Sequence, residues 1–129
     1  VANLLYPLQL IHALIREHVT KPSTRSDQWP TFRKHILQKS PKCQACGAAS
    51  LLQVHHIAPF HDHPELELTP SNVIVLCMTP ELCHLQIGHG GFFKTFNPNV
   101  VADAAAHLKA DTAGRKRIVA QVKAERIPD

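Results

Sequence analysis

Two stretches decide the fold: CQACGAASLLQVHHI at residues 43–57 and NVIVLCMTPELCHLQIGH at residues 72–89. Between them they hold all four cysteines and four of the ten histidines. Two residues separate Cys43 from Cys46, a spacing that lets both thiolates face one ion from a tight turn. Cys77 and Cys83 are further apart, and they complete the set if residues 78–82 loop out. Four thiolates make a closed tetrahedral zinc site, which adds folding free energy to a chain with only 5% aromatic residues. Two disulfides, unpaired thiols or a CxxC redox pair are the other readings of the same cysteines. The first needs an oxidising compartment, and the last lacks a thioredoxin-like strand and helix around it.

Moving outward from these stretches, residues 52–57 read as a short strand and the β-branched run after Asn72 as a second, buried one. Residues 80–87 read as a short helix closed by Gly88. Between the strands, residues 58–71 form a loop with three prolines. On the N-terminal side, residues 31–39 read as an amphipathic helix with Phe32, Ile36 and His35 inward, stopped at Ser40-Pro41. A polar linker over residues 21–27 separates it from a helix over residues 7–19. On the C-terminal side come Phe92, Phe93 and Phe96, expected with Trp29 to be core rather than base-stacking. Asn97-Pro98 then reads as a helix start. A stripe of Val101, Ala104, Ala105 and Leu108 follows, and Gly114 is expected to interrupt it before a last basic helix over residues 115–126. The 129 residues suit one domain, with a motif core at about 29–99 and flanking helices at about 7–19 and 98–126.

Adjacent residues of a strand point to opposite faces, so His55 and His56 serve different neighbours. His84 directly follows Cys83, so one short helix can present one residue to a structural ion and the next to a second ion. His89 lies five residues beyond His84 and reaches a shared ion if Gly88 bends the chain. His61 and His63 sit in the loop, where they can ligate or touch a substrate. His12, His18, His35 and His107 lie on helices without clustering and read as ordinary hydrogen-bonded residues.

The charge pattern adds a partner. The net charge is +4, but residues 51–90 contain no Lys or Arg and four acids, whereas both flanks are basic. A His-rich centre without fixed cations suits a bound divalent ion, and basic flanks suit a polyanion held at its phosphates. No apolar run is long enough to span a membrane, and the first residues lack the basic-then-apolar layout of a signal peptide. The reading is therefore of a cytoplasmic protein without membrane partners. At 44% hydrophobic residues the chain is also not a disordered one.

Taken in order, Cys43-x2-Cys46, His55-His56-Ile57, Asn72 and Cys77-x5-Cys83-His84-x4-His89 resemble the HNH endonucleases, the His-Me-finger or ββα-metal group, in its zinc-bearing McrA-like form. The resemblance implies an α+β fold: a ββα-metal core with a four-cysteine zinc site and flanking N- and C-terminal helices. It implies that Cys43, Cys46, Cys77 and Cys83 hold structural Zn2+. His55, His84 and His89 would hold a catalytic Mg2+, Mn2+, Ni2+ or Zn2+. His56 would be the general base, and Asn72 would brace the loop and that base. The implied activity is metal-dependent hydrolysis of DNA phosphodiester bonds with one ion and a His base, by nicking, in a monomer or homodimer. Arg33, Lys34, Lys39, Lys42 and Lys94 are the DNA-binding candidates, followed by Arg115, Lys116 and Arg117. The competing function is a non-catalytic zinc-stabilised module that binds DNA or protein; it needs the cysteines but has no use for His55, His56 and His84 together.

Overall fold

The computed structural model describes residues 24–129. The helix expected over residues 7–19, with His12 and His18, lies outside the described residues. The element order is helix α1 (Trp29–Lys39), strand β1 (Leu52–His56), two 3-10 turns (Pro64–Leu66 and Pro70–Asn72), strand β2 (Val73–Cys77), a π-helical turn (His84–Gly88), strand β3 (Thr95–Phe96), helices α2 (Val100–Lys109) and α3 (Thr112–Glu125), and strand β4 (Ile127–Pro128). The architecture is α+β, with two small antiparallel sheets, β1–β2 and β3–β4.

Helix α1 carries Pro30 in its first turn, where a missing N–H costs nothing. It ends at Ser40 because Pro41 disfavours helical backbone in the residue before it. Its apolar side, with Trp29, Phe32, Ile36 and Leu37, packs on Val54 and Val75 of the sheet. His35, expected to point inward, is exposed; the buried stripe passes through Ile36 and Leu37 instead.

The β1–β2 register pairs Val54 with Val75, His55 with Ile74 and His56 with Val73. Directly paired residues share a face. Val54, Val73 and Val75 therefore face α1, while Ile74 and Leu76 pack on the other side with Ile87, Val100 and Ala104. The same alternation sends His56 toward α1 and His55 toward the π-helical turn.

Several local expectations need correction. The helix expected over residues 80–87 begins only at Cys83, because Leu82 sits in the left-handed region (φ 55°), which ends any helix running through it. The proline-rich loop is two 3-10 turns linked by short irregular segments. Helix α2 starts at Val100 behind Asn99 rather than at Pro98, because the Asn97 amide is committed to Ile87 O (3.0 Å) and Asp103 (2.9 Å). Its buried stripe is consequently Val100, Ala104 and His107, while Val101 and Leu108 are exposed. An apolar count misses this stripe because one member is a histidine, whose Nδ1 meets Ala45 O at 2.6 Å.

The break between α2 and α3 falls at residues 110–111 and not at Gly114. Asp111 caps α3 by accepting from the N–H of Gly114 at 2.8 Å, so that glycine sits inside the first turn. Phe92 and Phe93, expected in the core, are about half exposed. Trp29 and Phe96 are partly buried.

Candidate active site

The four cysteine sulfurs lie within 4.8 Å of one another, and none forms a disulfide. The turn that carries Cys43 and Cys46 is closed by Cys43 N–H to Ala48 O (2.7 Å) and Gly47 N–H to Cys43 O (2.8 Å). Gly47 takes φ 82°, which a side chain would strain. Cys77 arrives from the end of β2 and Cys83 from the head of the π-helical turn, and Cys46 Sγ lies 3.6 Å from Cys77 Sγ. Cys43 is held down to about 4, chiefly by the hydrogen bond from Cys83, and Cys83 is pushed up by giving it. Burial pushes Cys46 up to about 11. One thiolate in the cluster thus opposes ionisation of the next. Only a cation lets all four ionise together, so the donor set fits a structural zinc.

A second cluster joins His55, His84 and His89, with one nitrogen from each within 4.8 Å of the others. His55 comes from β1 and the other two from the π-helical turn. The His89 N–H bonds back to His84 O at 3.1 Å, the i→i+5 pattern of a π-turn. This is why two histidines five residues apart share a face. The bend expected at Gly88 is unnecessary, and Gly88 has a different use. A Cβ there would lie 3.1 Å from the Nδ1 and Cε1 of His55, so a side chain at this position would press on that ring.

The orientation of the His89 ring is fixed from outside the cluster. His89 Nδ1–H donates to Thr95 O (2.7 Å), which leaves Nε2 as the nitrogen with a lone pair. That Nε2 sits 3.2 Å from His84 Nε2, a separation typical of two nitrogens that share an ion at ~2.1 Å. His55 Nε2 is buried and has no hydrogen-bond partner. Burial is the largest cause lowering both pKa values, with His84 held down to about 4 and His55 well below its ordinary value. Neutral imidazoles with an orphaned buried nitrogen are what a metal ligand set requires.

His56 lies on the other face of β1. Its Nε2–H donates to Glu67 O at 2.9 Å, so Nδ1 is the accepting nitrogen. Arg25 Nη1 is 3.1 Å from that Nδ1. Trp29 stacks near the ring, with centroids 5.0 Å apart. Burial lowers the His56 pKa, the bond to Glu67 opposes this, and Arg25 adds to the lowering. Asn72 is buried between the strand start and the loop. Its Oδ1 accepts from Ala58 N–H (2.9 Å), and its amide donates to Ala58 O (3.2 Å) and Leu66 O (3.5 Å). It thereby fixes the loop that presents the Glu67 carbonyl.

A cleft of about 400 Å3 joins the two faces, lined by His55, His56, His84 and His89 together with Arg25, Arg33, His61 and Asp129. Of the basic candidates, Arg33 lines this cleft and donates to Leu52 O at 3.3 Å. Lys34, Lys39, Lys42 and Lys94 lie outside its lining. Arg115 bonds Glu81, His107 O and Leu108 O, and with Lys116 it lines a separate cavity. Arg117 is exposed. His63 pairs with Glu65 and does not line the cleft.

Sequence reasoning missed Arg25 and Glu67. Glu67 is buried and binds Ser26 N–H with both carboxylate oxygens (3.2 and 3.1 Å), which ties the segment bearing Arg25 to the loop. Neither residue has a local signal: one sits in a polar linker, the other in a proline-rich loop. Among the described residues, no helix is long and apolar enough to cross a membrane.

Residues 43–90 match the family model described as HNH endonuclease. That span contains both clusters, His56 and Asn72. No curated protein and no solved structure gives a match to the chain.

Proposed function

We propose, from the HNH match and the geometry around it, that this protein is a metal-dependent DNA endonuclease that hydrolyses phosphodiester bonds and nicks one strand. The observation that carries the reading is the convergence of His55, His84 and His89 on one face of β1, with His56 on the other face of the same strand. A zinc-stabilised binding module has use for the four thiols but none for this second cluster.

The chemistry that a divalent ion supplies when bound by the three histidines is Lewis-acid stabilisation of charge on the phosphate and leaving oxygen, worth several kcal/mol. Three imidazoles and no carboxylate suit Ni2+ or Zn2+ better than Mg2+, which prefers oxygen ligands.

The remaining steps belong to side chains. His56 receives a proton from the attacking water at Nδ1, since its Nε2–H is committed to Glu67 O. Burial keeps the ring neutral and ready to accept. A base so placed contributes about 10²–10⁴-fold. Asn72 acts indirectly by holding the loop that orients His56. Lys34, Lys39, Lys42 and Lys94, with Arg33 at the cleft, give the strand a cationic approach.

The test is incubation of supercoiled plasmid with the zinc-loaded protein and Mg2+, Mn2+ or Ni2+, beside a His56→Ala control. Open-circular product is expected with the wild type and not with the variant. Equal product from both, or none from the wild type with any ion, refutes the reading.

A further inference from the structure

The nitrogen that must accept the proton is covered in the free protein. Arg25 Nη1 lies 3.1 Å from His56 Nδ1, and a guanidinium can only donate. While that hydrogen bond stands, the lone pair is engaged and a water cannot use it. Two aromatic plates hold the guanidinium flat: the Trp29 centroid is 4.6 Å and the Phe60 centroid 4.5 Å from Arg25 Cζ. Stacking fixes the plane and leaves the edge of the fork for donation. The neighbouring carboxylate, Glu67, directs both oxygens to Ser26 N–H rather than to this fork. Arg25 lines the same cleft as His55, His84 and His89, so an anion that enters the cleft meets the fork there.

We infer that Arg25 is a substrate-gated cover on the general base: it leaves His56 Nδ1 for a phosphate of the bound strand, grips that phosphate, and frees the nitrogen for the attacking water. The inference rests on the nuclease reading above. No covalent bond changes in the exchange; one hydrogen-bond donor changes partner. The phosphate wins because it is charged and the imidazole is neutral. A guanidinium–phosphate bond pairs two opposite charges in bidentate geometry, whereas the bond to His56 has one charge and a single acceptor nitrogen. Arg25 thus touches the substrate, and His56 is available only when substrate is present.

Trp29 is the only tryptophan of the chain, so its emission reports the stack on Arg25. The experiment titrates the zinc-loaded protein with a short DNA duplex, without added Mg2+ or Mn2+, and follows Trp29 emission. In parallel, single-turnover nicking with Mn2+ is measured at saturating plasmid. The wild type is expected to show a saturable emission change that Arg25→Ala lacks. Both Arg25→Ala and Arg25→Lys are expected to lower the nicking rate by about 100-fold, the usual effect of losing one charge-stabilising donor. Each variant is checked for zinc content and circular dichroism, and Arg25→Gln replaces any that loses zinc. Wild-type nicking by Arg25→Ala, or an emission change that persists in it, overturns the inference. If the wild type fails to nick with every ion tried, the nuclease reading fails on its own. An emission change that needs Arg25 then keeps the phosphate grip, and an unchanged emission removes it.

Discussion

Replacing Gly88 by alanine puts a methyl group against the ring of His55. The new Cβ would lie 3.1 Å from His55 Nδ1 and Cε1 and 3.2 Å from Nε2, inside ordinary van der Waals contact. His55 is buried (3% exposed) and its ring already meets those of His84 and His89 edge-on, with centroids 5.0 and 4.8 Å away. The ring must yield by a few tenths of an ångström, and the available direction displaces it within the ligand set. Overpacking of this kind costs about 1–3 kcal/mol. Alanine recovers about 0.5–1 kcal/mol by restricting the unfolded chain. Folding stability therefore falls by about 0–2.5 kcal/mol. Metal affinity falls further in relative terms, because ligand orientation is lost: about 10–100-fold, as when an outer partner of a ligand is removed. Calorimetric titration of zinc-loaded protein with Mn2+ or Ni2+ checks this, beside a urea melt of the same sample. Unchanged Mn2+ and Ni2+ affinity in Gly88→Ala would show that His55 is not a ligand, or that its ring moves freely, and either result refutes the reasoning.

Three further outcomes are expected. Asn72→Ala leaves Ala58 N–H without its side-chain partner in a part-buried site, so stability falls by about 1–3 kcal/mol in a urea melt; nicking falls as well, while zinc content stays near one per chain. Cys77→Ser removes one sulfur from a closed set of four, so bound zinc measured by mass spectrometry drops well below one per chain, and a chelator no longer changes the melting temperature. The last outcome concerns pH, in protein without an ion at the three histidines. Burial lowers the folded-state pKa of His84 to about 4 and that of His55 well below its ordinary value, against ~6.5 in the unfolded chain. The unfolded state then binds more protons, so stability is full above about pH 6.5 and is lost progressively as the pH falls toward 4. Urea midpoints at successive pH values check the direction, and a rising midpoint on acidification refutes it.

Local sequence determined a good part of the architecture. Strand patterning at residues 52–56 and 73–77 fixes β1 and β2, and a period of two separates His55 from His56 whatever the rest of the chain does. The Cys43-x2-Cys46 turn carries its own glycine for the left-handed residue, so that half of the four-cysteine cluster is also written locally. Helix α1 is legible for the same reason, since Pro30 and Pro41 set its ends.

Tertiary structure decided the rest. The spacing of His84 and His89 does not match an α-helical face, and a π-turn is needed to align them. That turn forms where Ile87 is locked into the core and Asn97 binds its carbonyl from ten residues away. The α2 stripe includes His107 because the Ala45 carbonyl lies opposite, a partner 62 positions distant. Arg25 and Glu67 meet His56 from two unpatterned segments, held by hydrogen bonds of long sequence separation. The physical reason is common to all three: periodicity reports which face of an element is buried, but hydrogen-bond complementarity between remote segments sets which polar group lies against it. The sequence therefore supplied the cysteines and histidines, and only the folded chain decided how they are oriented and which polar groups lie against them.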